Sequence, residues 1–473
     1  MIIGRKKERK ILLDLLNSDK SEFVAVYGRR RVGKTFLIRE TFEYNFAFHH
    51  TGKFSESKTE QLYEFAKSLS SAGMKDVETP TNWSDAFSLL ARHLSSLKNG
   101  KKVVFIDELP WLDTPSSKFV SALEHFWNSW ATMRKDIVLI VCGSATSWII
   151  SNIVMNYGGL HNRLTRQIYI EPFSLHECEL YAQMRDLGMN RRNILETYMI
   201  LGGIPFYWDF LRRELSWAQN IDNMFFTKNA EMKHEFTALY SSLFRNPELY
   251  VKIITILGTK KSGMTRSEII ENLGENQGGK LTKVLTELSQ CDFIRIYNSI
   301  GKTKKDALYQ LIDNFTLFYF HFLEHKSNFL KNYWVSQLKK PQYRTWSGLA
   351  FERVCFQHIE QIKKALGISG ILCGVYSWVY RPKTSDEKGV QIDMLIDRDD
   401  NVINLCEMKF SDSEYAITAA YDTDLRRKAA VFERVTSTKK AVRTIMVTSY
   451  GLTRNQWSND IYNQVVMDDL FEP

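Results

Sequence analysis

Two stretches of this chain hold residues whose types and spacing suit chemistry at phosphorus. In "FVAVYGRRRVGKTFLIRE", Gly28, Gly33, Lys34 and Thr35 follow a G-x-x-x-x-G-K-[ST] spacing, after an apolar run and before a helical pattern. Glycines let backbone N–H groups curl round phosphate oxygens, and a helix N-terminus adds partial positive charge. Lys34 then reaches the β- and γ-phosphates and Thr35 holds Mg2+. The whole loop, Gly28, Arg29, Arg30, Arg31, Val32, Gly33, Lys34 and Thr35, is the expected cradle for ATP with Mg2+. The second stretch, "VQIDMLIDRDDNVINLCEMKF", sets Asp393 on one strand and Glu407 and Lys409, two apart, on the next. With a loop of Asp399, Asp400 and Asn401, Asp393 opposes Glu407 and Gln391 opposes Lys409. Two facing carboxylates repel unless a cation lies between them. Mg2+ or Mn2+, with hard oxygen ligands, is the natural cation, and Lys409 would then orient or deprotonate a water. Such a set suits phosphodiester hydrolysis. A solvated outer face of a hairpin would carry the same residue types.

Other residues belong with the first loop. "KKVVFIDELPWL" is a buried strand ending in Asp107, expected to hold the water shell of Mg2+, and Glu108, expected to polarise the attacking water. "DIVLIVCGSATSWI" ends in Ser144, either a helix cap or a hydroxyl for the γ-phosphate or its water. In "GGLHNRLTRQIYI", Arg163 or Arg166 is placed to offer positive charge to ATP held by an adjacent subunit.

These residues need several scaffolds. A chain of 473 residues exceeds one core. Residues 1–170 alternate strand and helix as an α/β domain with a parallel sheet should. Residues 171–245 read as helical, 246–312 as three helices and a hairpin, 313–345 as a basic aromatic connector, and 346–473 as mixed strands and helices. In the third segment Thr265 and Glu268 make a capping box, and Leu281, Val284, Leu285 and Leu288 share a helix face. Its hairpin tip carries Lys302, Lys304 and Lys305. The 63 Lys and Arg against 54 Asp and Glu lean towards an anionic partner, nucleic acid first. No apolar run reaches bilayer length and the start lacks a signal peptide, so no membrane partner is expected. Six scattered cysteines without a CxxC pair indicate a reduced, cytoplasmic protein without structural zinc.

The first set of motifs resembles an AAA+-like P-loop ATPase, of the archaeal type related to the STAND group. The opening "IIGRKKERKILLDLL", with Gly4, Arg5 and Glu8, looks like that family's N-terminal box near the adenine, and "LGGIPFYW" resembles the turn in its helical lid. The resemblance implies ATP binding, slow hydrolysis and a nucleotide-dependent switch, and a homo-oligomer through this domain is the expected assembly. The third segment looks like a winged helix, a fold whose second helix and basic wing often contact DNA and which also serves as a protein-contact module. The last segment resembles the PD-(D/E)XK nuclease fold: Asp393 and Glu407 would bind metal, Lys409 would be catalytic, and Glu352 on the preceding helix would assist. Gln391-Ile392 stands where the motif's name has Pro, which leaves the chemistry intact. The expected fold is thus multidomain α/β: P-loop ATPase, helical lid, winged helix and restriction-endonuclease-like domain. The expected function is an ATP-coupled, Mg2+- or Mn2+-dependent nuclease on DNA, active against mobile elements. The competing reading is an ATP-switched DNA-binding or signalling protein whose nuclease-like domain only docks.

Overall fold

Branched apolar runs bounded by charged ends form the first sheet. Strands β1 (Glu22–Tyr27), β2 (Phe48–Thr51), β3 (Lys102–Asp107), β4 (Ile137–Cys142) and β5 (Arg166–Tyr169) lie in the order β2-β3-β4-β1-β5, all neighbours parallel. Every residue of β3 and β4 is buried, as strands covered on both faces must be. Helices Lys58–Ser71, Trp83–Ser96 and Phe119–Ser129 supply Phe65, Trp83, Phe87 and Phe119 to the core beside Phe23 and Phe48. The C-terminal ends of β1, β3 and β4 converge on one edge, where open parallel sheets bind ligands.

The computed structural model describes all residues except 1, 99, 157, 161, 245, 275–277, 298–306, 325–331 and 383–386. The chain forms two compact units, Met1–Pro172 with Ile204–Phe206, and Phe173–Gly203 with Tyr207–Pro473. Among the described residues no helix is long and apolar enough to cross a membrane.

In the second unit, the capping boxes of Ser174 with Glu177 and of Thr265 with Glu268 start two helices, the latter as the sequence predicts. Helices Pro247–Gly258, Arg266–Leu273 and Gly278–Gln290 accompany a small antiparallel sheet, β6 (Met264–Thr265), β7 (Ile294–Tyr297) and β8 (Leu308–Leu311), in the order β6-β8-β7. Leu281, Val284, Leu285 and Leu288 are buried, the face expected from their spacing. Lys302, Lys304 and Lys305 lie outside the described residues.

The aromatic connector serves as core. Phe318, Phe322, Trp334 and Trp346 are buried and meet with ring centres 4.9–6.0 Å apart. The helix expected from Trp346 begins earlier, at Pro341, a residue suited to a first helical turn, and ends at Gln357.

A second sheet orders β9 (Cys373–Tyr380), β10 (Val390–Arg398), β11 (Val402–Lys409), β12 (Ala441–Thr448) and β13 (Asn463–Val466) as β13-β12-β11-β10-β9. The β9-β10-β11 part is antiparallel and β11-β12-β13 parallel. Met394 pairs with Cys406 and Leu395 with Leu405, the predicted register, and Asn401 takes φ 63° in the turn. The pairing against β9 shifts between Ile392 and Leu395, beside Asp393. Helix Pro341–Gln357 packs along β11 and helix Ala419–Thr436 along β10 and β12, so β11 is buried from Val402 to Met408. The hairpin is therefore not a solvated outer face.

Candidate nucleotide and acidic sites

Three strands each deliver one piece of the first site. Gly28 follows β1 at φ 142°, and a Cβ there would lie 2.3 Å from the Ile170 carbonyl oxygen. Gly33, at φ 89°, caps helix Lys34–Thr41. The Lys34 ammonium, buried in the loop, donates to the Gly28 and Arg29 carbonyl oxygens at 2.8 Å each. Thr35 Oγ1 donates to Asp107 Oδ2 at 2.9 Å, which brings the helix start and the end of β3 together. Both are oxygen donors of the kind Mg2+ takes, so the residues fit that ion.

Glu108 sits one residue beyond β3 with φ 48°, a backbone state that costs a non-glycine residue free energy. Its Oε2 accepts from the Ser144 N–H at 3.1 Å and from Ser144 Oγ at 2.9 Å. Ser144 thus holds the Glu108 carboxylate instead of capping the following helix, whose N-cap is Ala145. Thr146, which the sequence reading passed over, donates Oγ1 to the Gly28 carbonyl oxygen at 2.9 Å and is fully buried. A second hydroxyl just past Ser144 was the available signal. Arg5, beside Gly4 at φ 60°, sends its guanidinium to the Glu171 carbonyl oxygen. The Arg31 guanidinium lies 4.2 Å from the centre of the Phe206 ring. Arg163, on a turn, and Arg166, on β5, are both exposed.

The acidic site draws on four elements of the second unit. Glu407 on β11 is 2 % exposed, too buried for a decorative surface charge. Its Oε2 accepts from Lys428 Nζ at 2.7 Å and from the Tyr421 hydroxyl at 3.3 Å, both on helix Ala419–Thr436. Its Oε1 is buried with no hydrogen-bond partner. Asp393 Oδ2 accepts from the Met408 N–H at 3.2 Å. Lys409 lies with its ammonium 4.9 Å from the Tyr421 ring centre. Glu352, on helix Pro341–Gln357, receives Lys261 Nζ at 2.7 Å on both oxygens, and the same ammonium is 3.9 Å from Asp393 Oδ1. Burial first, and then the charge of Asp393, push the Glu352 carboxyl up to about 7. The same two causes raise Glu407, against the pull of Lys428. Among the described residues no group of three or more His, Cys, Asp or Glu is arranged to hold a metal ion. The unpartnered buried Oε1 of Glu407, with the Asp393 carboxylate close enough to raise its pKa, is a hard-oxygen donor set of the kind a divalent ion takes. The contacts that Lys428, Tyr421 and Lys261 make escaped sequence reading because each reaches the site from another element.

Residues 3–208 match the family described as an ATPase domain predominantly from Archaea. An uncharacterized protein of Methanocaldococcus jannaschii is 24% identical over 451 residues, 91% of this chain and 92% of that relative. An uncharacterized ATP-binding protein of the same organism is 44% identical over 43 residues, 9% of this chain and 73% of the relative. Among solved structures, the Walker-type ATPase of Pyrococcus abyssi aligns with a TM-score of 0.51 at 18% identity, over 67% of this chain and 95% of that one, a likeness of fold.

Proposed function

We propose, with an archaeal-type ATPase domain at residues 3–208 as premise, that ATP binding and hydrolysis there govern a divalent-metal-dependent nuclease in residues 346–473 that acts on DNA. The observation that carries the nuclease half is Glu407. A carboxylate on the central strand, with one oxygen unpartnered and Asp393 close enough to raise it, has no packing rationale. In this reading Asp393 and Glu407 would hold Mg2+ or Mn2+, which supplies Lewis acidity at a phosphodiester when bound. Lys409, on the same strand face as Glu407, orients the attacking water or takes its proton, and Glu352 assists. Residues 246–312 act as a winged helix. Helix Gly278–Gln290 presents exposed Lys280 and Lys283 to phosphate. In the first unit, Lys34 binds the β- and γ-phosphates, Thr35 and Asp107 hold Mg2+, and Glu108, steadied by Ser144, polarises water.

The test is cleavage of supercoiled, linear and single-stranded DNA, and of RNA, with Mg2+ or Mn2+, with and without ATP. Asp393→Ala and Lys409→Ala should each lower cleavage by about a hundredfold or more, the scale expected when a preorganised charge is removed. Undiminished cleavage by both variants would assign the activity elsewhere. The docking alternative has its own support in the Lys261 ammonium seated on Glu352. It takes over if the intact chain binds DNA and hydrolyses ATP but cuts nothing under any of these conditions.

Arg163 acts on ATP in a neighbouring copy. Mixing Arg163→Ala with Lys34→Ala protein should then restore turnover above that of either alone. Assembly without recovery would remove Arg163 from that role.

A further inference from the structure

Lys261 stands on the turn between helix Pro247–Gly258 and β6, and that turn is fixed to its own module. Gln310 Nε2 on β8 donates to the Lys261 carbonyl oxygen at 2.6 Å, and neighbouring Lys260 pairs with Glu268. At Gly263, φ 75°, a Cβ would come within 2.7 Å of the Tyr309 carbonyl oxygen. The backbone of the turn belongs to the three-stranded sheet, yet the Lys261 side chain leaves it to reach Glu352 and Asp393. A second cation follows the same route. Arg295 on β7 donates Nη2 to Ser377 Oγ on β9 at 3.1 Å, with its guanidinium 3.7 Å from the Phe356 ring centre. Lys261, Arg295, Glu352, Ser377 and Asp393 line one cavity of about 560 Å3.

An ammonium is a single charge with three donors, and here it donates to Glu352 and lies 3.9 Å from Asp393, carboxylates of two different elements. It neutralises part of the charge that burial and crowding make costly, a task that a divalent ion held by Asp393 would take over. We propose that the Lys261 ammonium is a latch, compensating Glu352 and Asp393 so that docking of the module of residues 246–312 and entry of a divalent cation exclude one another. This rests on the reading of Asp393 and Glu407 as metal ligands. A cation that enters expels the ammonium and loosens the module. Conversely, whatever draws the module away, a phosphate backbone included, opens the carboxylates. The site would thereby be silent until the module is engaged elsewhere.

The experiment uses the full chain, free of nucleotide, and measures Mn2+ binding from the electron paramagnetic resonance of free Mn2+. Lys261→Met keeps side-chain bulk without charge and should bind Mn2+ at least about tenfold more tightly than the unaltered chain, while Lys261→Arg should return to weak binding. Adding Asp393→Asn to Lys261→Met should abolish the gain. Equal affinity with Lys or Met at 261, lost in both backgrounds on Asp393→Asn, would overturn the latch and leave the metal reading standing. No Asp393-dependent binding in any variant would remove the metal reading and the latch with it. Hydrogen exchange of the unaltered chain gives a second readout: saturating Mn2+ should speed exchange over residues 258–265 in a manner lost in Asp393→Asn. Unchanged protection there alongside Asp393-dependent binding would also overturn the latch.

Discussion

Glu108→Gln protein is expected to hold ATP as well as the unaltered chain while turning it over about a thousandfold more slowly. The glutamine carbonyl still accepts from the Ser144 N–H and Oγ, so the strained turn at φ 48° keeps its support. What disappears is the negative charge proposed to draw a proton from the attacking water. Lys34→Ala is expected to differ in kind. It removes the charge proposed to meet the β- and γ-phosphates and also takes one donor from each of the Gly28 and Arg29 carbonyl oxygens that the ammonium now bridges. Binding itself should fall, and turnover with it. A fluorescent ATP analogue read beside phosphate release separates the two behaviours. Full turnover in both variants would strip these residues of their assigned roles.

Gly203→Ala should lower the melting temperature of the second unit by about 6–12 °C, from about 3 kcal/mol of overpacking. The new Cβ would lie 1.8 Å from the Phe173 carbonyl oxygen and 2.6 Å from its nitrogen, atoms that no rotamer change can move aside. Those atoms are already committed: the Phe173 N–H donates to the Gly203 carbonyl at 2.6 Å, and the Tyr198 hydroxyl donates to Phe173 O at 3.0 Å. Gly202 is the internal comparison. It sits at φ 61° and ψ −166°, a region reserved for glycine, but its nearest new contact would be 3.6 Å away. Gly202→Ala should therefore cost only backbone strain, about 1–3 kcal/mol. Calorimetry that finds Gly203→Ala no less stable than the unaltered chain would contradict the close approach.

What could be read ahead of the structure was local. The phosphate loop, the Thr265 capping box and the hairpin register are set by spacings of a few residues, and short spacings leave the chain little choice. Glu352, Asp393, Glu407 and Lys409 were nameable for the same reason, as residues out of character on their elements. The partners that decide their behaviour were not. Thr146 and the Gly28 carbonyl are 118 residues apart, Lys261 and Glu352 are 91 apart, and Lys428 lies 21 beyond Glu407 on another element. Nothing in the type of Lys261, one of two adjacent lysines in a turn, separates it from a solvated surface residue. The stretch read only as a basic aromatic connector proved to be more than a link, because its rings make a core.

The seclusion of Glu407 also bears on how lineages of this chain would drift. Folding alone gives little reason to keep the Glu407–Lys428 pair, since apolar residues of similar bulk at both positions would escape the cost of buried charge, whereas leucine at 407 alone would strand the Lys428 ammonium. Under selection for stability only, positions 407 and 428 should turn apolar together, before the neighbouring aliphatic positions change at all. A lineage in which Glu407, Asp393 and Lys409 vanish together while the strands stay intact would mark the point at which this half of the chain changed its occupation.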